Sequence, residues 1–559
     1  MRSRFGPQSA VVGFALGFLL ISGTVSTGCA RTPGESLPPG LMSFPIAIEL
    51  SVDQDAEGKP KYVYVTSSNF GLQYNSGNVQ SYDLDKAIEA IASDCVGPGL
   101  LQSCLELDFT GEITDESCAC APREDDECVA TGTGVTPECL APDFRGDINE
   151  AQCLCNPVFD EDEGCVAIPA DRCSVVPAGL RFRDPGEAAL RLIPVEGLIR
   201  GEVGIGSFSD GMGVSTDGRR IYVPVRSDAN LTFIDVDEDG RLRCGGEFGE
   251  THTCTAPYRS GSAELVNPTV NINLPPDPVD VYVGDLAADF ADDPSDPAFA
   301  GDYILMAHRE GMASMFFDQL RPGGPEPQKR PRLAATIDEL APEQVTIAYE
   351  PGAKRAWIPS AEFPVIIRLG IGIDGDPTQS YLFDAGELVV SGLDTGRSNR
   401  DIRFDPRPGR NLAYIVSRSP EALLVARSDV AGGNLNMIGQ IPTCRDPSRV
   451  QIAEVPARGD SVVLAFVSCF LARNVQVIDT DKFQGITLLT NISGAFEFVI
   501  DAPRRLMYVA DFSTSVLRVA DLQPIIDCLE STSGETAEEC APTLLGLIGL
   551  PQPVSELPR

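Results

Sequence analysis

The sequence predicts an all-β protein: a seven-bladed β-propeller of four-stranded antiparallel blades, with a disulfide-rich insertion in the first blade. Three observations lead there. A pattern of short, alternating apolar strands recurs seven times along the chain. Turn formers are abundant, with 53 Gly and 44 Pro in 559 residues. Cysteines crowd into one stretch that interrupts the repeats.

Each repeat has an alternating strand, a turn, a second strand ending in a Tyr-Val-like pair, a loop and a third strand ending near Asp. The clearest copy opens at Gly213-Val214-Ser215 and turns at Asp217-Gly218. It continues through Ile221-Tyr222-Val223-Pro224-Val225 to Leu231-Thr232-Phe233-Ile234-Asp235-Val236. Asp-Gly between two alternating runs signals a hairpin, because Gly supplies the positive φ of a tight turn. Unit one is read at 46–48, 62–65 and 79–83, and unit three at 279–283, 303–306 and 314–318. Unit four is read at 345–348, 356–358 and 365–367, and unit five at 402–404, 412–416 and 422–425. Unit six is read at 450–452, 462–466 and 475–479, and unit seven at 498–500, 506–509 and 516–521. Fourth strands are less regular, with Leu388-Val389-Val390 and 544–548 as examples. A lone meander cannot bury both its faces, so such units stack around an axis. The repeats resemble the YVTN-type seven-bladed propeller family, through Arg220-Ile221-Tyr222-Val223 and Arg505-Leu506-Met507-Tyr508-Val509-Ala510-Asp511. The resemblance covers roughly residues 43–85 and 196–550. It implies the fold and leaves the activity open, since propellers host binding, lyase, lactonase and dehydrogenase roles.

Residues 1–28 read as a lipoprotein signal peptide. Arg2 and Arg4 form a basic start, an apolar run covers 11–21, and Val25-Ser26-Thr27-Gly28-Cys29 follows. This resembles a bacterial lipoprotein signal with Cys29 as the lipid attachment site, although Ser26 stands where Leu is usual. The alternative is cleavage near Ala30 and a secreted protein. The apolar run is too short for a transmembrane helix. Ala30 in place of a retention-type Asp favours the outer membrane, on its periplasmic side or at the cell surface. A linker at 29–42 precedes the first part of blade one at 43–85. The Cys-rich insertion at 86–195, the rest of the propeller at 196–550 and a tail at 551–559 complete the division.

Charge and cysteine usage narrow the partners. Asp and Glu number 81 against 43 Lys and Arg, a net charge of -38. Phosphate backbones need basic surface, so nucleic acid is disfavoured. The expected partners are an envelope protein or glycan and, through the lipid, the membrane; the chain is read as a monomer. Setting Cys29 aside, 16 of the 17 cysteines remain, an even set that reads as disulfides in an exported chain. With only His252 and His308, mixed Cys/His zinc sites are nearly excluded. The insertion is an internal duplication: Cys104 to Ile113 with Cys118 and Cys120 recurs as Cys139 to Ile148 with Cys153 and Cys155. Cys128 and Cys165 close the copies, and Cys95 and Cys173 flank them; the pairing among these ten stays open. Elsewhere the expected pairs are Cys244–Cys254, Cys528–Cys540 and Cys444–Cys469. The first two fall in C–D connections, on the face that also receives the insertion. The third falls on the opposite face.

That opposite face, formed by the B–C and D–A connections, gathers Arg226, Arg309, Arg400, Arg418, Arg445 and Arg449, with His308 beside Arg309. Arginine forks bind carboxylates and phosphates in two-toothed fashion, so one reading is an anion pocket at the channel mouth. The plainer reading pairs them with Asp210, Asp277, Asp401 and Asp446 of the same loops. Asp235, Asp237 and Asp239, followed by Gly240, match the first half of a calcium loop, but Gly246 stands where its Glu belongs. Asp53, Asp55 and Glu57 are a weaker version. No other cofactor is expected. His308 is the candidate general base. No Gly-x-Ser-x-Gly elbow or P-loop is present, Gly204-Ile205-Gly206 lies on a strand, and the single Trp357 argues against a quinoprotein. The expected function is non-catalytic binding or scaffolding in the envelope. The alternative is a lyase or lactonase acting on a small anion at the Arg-rich mouth.

Overall fold

The computed structural model describes residues 37–72, 74, 76–92, 197–261, 274–291, 296, 299–319, 330–374, 379–389, 398–457, 460–490, 492–530 and 540–549. It also describes isolated positions and short backbone strands between 121 and 195. Residues 1–36, with Cys29, and the tail at 551–559 lie outside this set. So do Cys95, Cys104, Cys118, Cys120 and Cys139. Cys128, Cys153, Cys155, Cys165 and Cys173 lie on strands described by backbone alone, where the register sets Cys155 opposite Cys173.

Seven antiparallel sheets form the blades. Blade one takes Pro45–Leu50, Tyr62–Ser67 and Gly77–Asp83, then Ile199–Ile205, which returns after the insertion to pair with Gly77–Asp83. Blade two takes Gly213–Val214, Arg220–Val225, Asn230–Val236 and Leu242–Arg243. Blade three takes Pro278–Gly284, Asp302–His308, Met312–Asp318 and Arg332–Ile337. Blade four takes Ala348–Glu350, Arg355–Pro359, Val365–Gly372 and Tyr381–Val389. Blade five takes Asn399–Phe404, Leu412–Arg418, Glu421–Asp429 and Asn434–Pro442. Blade six takes Pro447–Ala457, Asp460–Cys469, Asn474–Asp479 and Gln484–Leu489, and blade seven Ala495–Asp501, Leu506–Asp511, Val516–Asp521 and Thr543–Ile548. Within each blade the strands are A to D in chain order. Two short segments extend neighbouring edges: Arg191–Ile193 runs parallel to the last strand of blade seven, and His252–Thr253 parallel to the last strand of blade one.

The alternation of each strand B explains why the blades stack. Successive side chains point to opposite faces of a strand, and here both faces are covered by a neighbouring blade. Ile221, Val223 and Val225 pack with Val79 and Val203 of blade one, whereas Tyr222 packs with Ile304 and Met306 of blade three. Blade five divides likewise: Ala413 and Ile415 meet Trp357 of blade four, and Tyr414 and Val416 meet Val450 and Ala465 of blade six. Apolar clusters fill the remaining interfaces, three to four, six to seven and seven to one. The last joins Val63 and Val65 to Tyr508 and Leu517, which closes the circle. Buried carboxylates tie neighbours further: Asp302 of blade three accepts from the N–H and hydroxyl of Thr216 in blade two, at 3.0 and 2.7 Å.

Some sequence expectations shift. Strand A of blade four begins at Ala348 rather than Val345, because Gln344 bridges Ser360 and the ladder is irregular before regular pairing starts. Its strand D spans Tyr381–Val389, and Val390 lies outside the described residues. Residues 37–42, expected as linker, pack on the propeller: Met42 is buried between blades seven and one, and the Leu41 carbonyl accepts from the amides of Asn78 and Gln80. Cys244–Cys254, Cys444–Cys469 and Cys528–Cys540 are disulfides, with Cα separations of 4.8, 5.8 and 5.5 Å.

Candidate functional site

One hydrogen bond repeats in all seven blades and builds the rim of the channel. The N–H at the end of strand B donates to the carbonyl just before strand A. The pairs are Ser68 to Phe44, Arg226 to Phe208, Arg309 to Asp277, Ala361 to Glu343, Arg418 to Ser398, Phe470 to Asp446 and Phe512 to Gly494, at 2.8–3.2 Å. Five of the accepting residues, Phe44, Phe208, Asp277, Glu343 and Asp446, hold positive φ of 55–60°. Non-glycine residues adopt that conformation only where the surroundings over-determine it, as this bond does.

The rim is therefore sorted by blade. Blades two, three and five present Arg226, Arg309 and Arg418. Blades six and seven present Phe470 and Phe512, and blade one adds Phe70 two residues past Ser68. Each rim arginine reaches a carboxylate on the turn of the next blade: Arg226 to Asp277, Arg309 to Glu343 at 2.7 Å, and Arg418 to Asp446 at 2.8 Å. Arg226 also pairs with Asp210 at 2.8 Å. The aromatic sector follows the same next-neighbour rule, with Phe512 and Phe44 centroids 5.0 Å apart and Phe70 and Phe208 6.0 Å apart.

Inside the rim lies a cavity of about 490 Å³. Phe70, Phe470, Phe496 and Phe512 wall one side, and Arg400, Arg418 and Arg449 another. Phe70 is 43% exposed, although phenylalanine is ordinarily buried. Arg449 is buried; its Nε donates to Glu497 Oε2 at 2.8 Å, and its guanidinium lies 5.4 Å from the Phe496 centroid. Arg418 also donates to the Pro447 carbonyl and the Ser448 hydroxyl, at 3.1 and 2.9 Å. Arg400 differs from both. Its side chain makes no ion pair or hydrogen bond among the described residues, and its Nε is buried without a partner. Burial, then the guanidinium groups of Arg418 and Arg449, push its pKa down to about 10. Asp446 opposes the shift from beyond ion-pair distance, so the cation lacks a counter-charge in contact.

A second cavity, of about 440 Å³, follows the axis away from the rim. It is lined by Ala47, Glu49, Gly213, Asp280, Arg403 and Glu497 among others, and the Arg449–Glu497 pair stands between the two cavities.

The remaining sequence candidates fall elsewhere. His308 does not face the mouth. It is fully buried; Nδ1–H donates to the Pro276 carbonyl at 3.1 Å, and Nε2 accepts from the Ser314 hydroxyl at 2.9 Å. Burial holds its pKa down at about 4, so it is a neutral framework residue. Arg445 is exposed and is not among the residues that wall the cavity. The calcium candidates do not converge. Asp235 pairs with Arg220 at 3.0 Å, and Asp237 and Asp239 pair with Arg241 at 2.8 and 3.0 Å. Among the described residues no cluster of three or more His, Cys, Asp or Glu is placed to hold a metal ion. His252 accepts from the N–H groups of Cys244 and Gly246, inside the Cys244–Cys254 loop. The sequence reading missed the phenylalanines. Their signal is visible in retrospect as Phe470 and Phe512 directly after the second strands of units six and seven.

The arrangement suits an anion that carries an apolar face. Arg400 supplies donors without a counter-ion, and the phenyl rings supply a surface on which a flat group can stack.

No family model matches the chain, and no curated protein does. Among solved structures it is similar to the periplasmic gluconolactonase of Pseudomonas aeruginosa, at 12% identity over 71% of this chain and 92% of that one, TM-score 0.38. It is similar to hydrazine synthase of Kuenenia stuttgartiensis, at 10% identity over 63% and 90%, TM-score 0.38. It is similar as well to a functionally unknown protein of Desulfotomaculum acetoxidans, at 14% identity over 64% and 92%, TM-score 0.39. Likeness at this level carries nothing about activity. By its own sheets, the chain is a seven-bladed β-propeller whose channel opens through a rim that is arginine on one side and phenylalanine on the other.

Proposed function

We propose that this protein is an exported, lipid-anchored propeller of the cell envelope that binds a small amphipathic anion in the rim cavity without transforming it. The observation that carries the binding reading is Arg400, a guanidinium with no ion-pair partner among the described residues, beside a wall of phenyl rings. The other rim arginines are occupied by carboxylates and act as framework. His308, the candidate base, sits in the framework too, and this favours binding over a lyase or lactonase reaction. Export is supported by the Cys29 signal pattern and by three disulfides, which persist in oxidising compartments. Calorimetric titration with 1-naphthoate tests the site. Binding is expected in the native protein and is lost in Arg400→Gln; equal affinity in both rejects the reading. Mass spectrometry of the envelope-extracted protein tests the anchor. A diacylglyceryl mass on Cys29 is expected, and an unmodified amino terminus near Ala30 rejects it.

A further inference from the structure

The polar groups around the rim cavity restrict its ligand to one polar end. Gln344 is engaged at both ends of its amide: Oε1 accepts from the His308 N–H at 3.1 Å, and Nε2 donates to the Ala341 carbonyl at 3.3 Å. Ser448 accepts from Arg418 and donates to the Asp446 carbonyl at 3.3 Å. Asp210 and Asp446 are held by Arg226 and Arg418, and Arg309 and Arg449 by Glu343 and Glu497. Arg400 is the exception. Its Nε is closed to water, but its two terminal nitrogens keep surface and have no partner among the described residues. One carboxylate fills such a fork. A second polar group finds no side chain to serve it on the aromatic wall, where Phe70, Phe470, Leu471, Phe496 and Phe512 carry neither donor nor acceptor. Ile46, Val279 and Val345, which also line the cavity, carry none either. A hydroxyl set against these residues gives up water without replacement, which disfavours sugar acids and nucleotides.

The shape of the wall restricts the apolar body in turn. Ring contacts run from Phe470 of blade six through Phe512 and Phe70 to Phe208 of blade two, at centroid distances of 6.0, 5.8 and 6.0 Å. These pairs meet at interplanar angles of 65, 68 and 88°. Phe496 meets Phe470 at 86° and Phe512 at 33°. Most pairs thus set an edge against a face, as phenyl groups prefer. None of them is parallel, so the wall offers no slot for a large flat ring system. A flexible chain needs no common plane. The wall also leads outwards, to Phe70 and Leu471, which are 43% and 55% exposed. Only a body long enough to reach them covers that apolar surface.

We propose, resting on the binding reading above, that the ligand is a fatty acid. Its carboxylate lies on the terminal nitrogens of Arg400, and its alkyl chain runs along Phe470, Phe512 and Phe70 towards the mouth. The cavity, at about 490 Å³, is of the size that encloses a small organic molecule.

The test is calorimetric titration of the full chain at neutral pH with acetate, hexanoate, octanoate and decanoate, each below its micelle-forming concentration. 1-Naphthoate and 1-octanol are titrated beside them. Affinity is expected to rise by about threefold for each added methylene. 1-Octanol, which matches octanoate in length without its charge, is expected to bind about tenfold more weakly than octanoate. Arg400→Gln loses octanoate and 1-naphthoate alike. Phe70→Ser combined with Leu471→Ser alters two exposed side chains and is expected to fold; it weakens decanoate by about tenfold and leaves hexanoate unchanged. Affinity independent of chain length, or 1-octanol binding as tightly as octanoate, overturns the fatty-acid assignment. If 1-naphthoate still binds through Arg400 in that protein, the binding reading stands without it. No binding of either class, or equal affinities in native protein and Arg400→Gln, overturns both.

Discussion

Replacing Arg400 with Met is expected to make the protein more stable and unable to hold its anion. The magnitude follows from the uncompensated charge. Its pKa falls from 12.5 to about 10 on folding. A shift of that size corresponds to at most about 3.5 kcal/mol, because one unit is about 1.4 kcal/mol. The side chain keeps part of its surface in water, and screening reduces the cost to about 1–2 kcal/mol. Met retains an unbranched stem of similar length and so keeps the packing. Urea unfolding followed by Trp357 fluorescence measures the change. Trp357 is the only tryptophan and is 1% exposed, so its signal reports opening of blade four against blade five. The midpoint is expected to rise in Arg400→Met, and 1-naphthoate that protects the native protein no longer shifts it. Arg449→Met has the opposite sign: it strands Glu497 without its partner and costs about 3–5 kcal/mol. If Arg400→Met unfolds as early as Arg449→Met, or still binds naphthoate, Arg400 has a partner and the reasoning fails.

Phe470→Ala is expected to weaken naphthoate by about fivefold, an aromatic contact of about 1 kcal/mol, while acetate affinity stays the same; parallel titrations decide it. His308 gives a pH signature. Its folded pKa of about 4 lies below the ordinary 6.5, so its neutral form favours the native state at neutral pH. As pH falls from 6.5 to 4 the unfolded chain takes up a proton that the native chain refuses, and about 3 kcal/mol is lost. Glu49 and Glu497, raised on folding, act the other way and lose stability as pH climbs towards 8, so the measurement is the difference between wild type and His308→Gln. That difference should change only below pH 6.5. Replacing both Cys444 and Cys469 with Ala removes a closure across a separation of 25 residues and should cost about 3 kcal/mol in urea unfolding. A chelator should leave the melting temperature unchanged, since Asp237 and Asp239 are held by Arg241; a drop would mean a bound cation.

The repeats were legible because strand B in every blade is covered on both sides. Double coverage selects the apolar, tyrosine-bearing pattern that Ile221-Tyr222-Val223 displays. The start of blade four misled because Val345 is apolar yet precedes the regular ladder. The site was legible as charge and illegible as pairing. Asp401 stands next to Arg400 in sequence and looked like its partner. Neighbours on a strand point to opposite faces, and Asp401 turns instead to the Val450 N–H at 2.9 Å. Arg309 finds Glu343 only because the ring brings the next turn alongside, which no local window contains. The phenylalanine sector was passed over because apolar residues after strands read as ordinary core.

Arg191–Ile193, lying along Thr543–Ile548, bears on how the molecule is assembled. Blade one is completed by residue 205 and blade seven takes its strands A to D from 495–548, so only the added edge strand Arg191–Ile193 joins the two ends of the ring in one sheet. The seam between them is fastened by side chains and by this one latch, whose two halves lie far apart in the chain. A ribosome or a translocon delivers the second half last. Until then Val63 and Val65 lack the cover of Tyr508 and Leu517, and the nascent disc stays open along a single greasy flank.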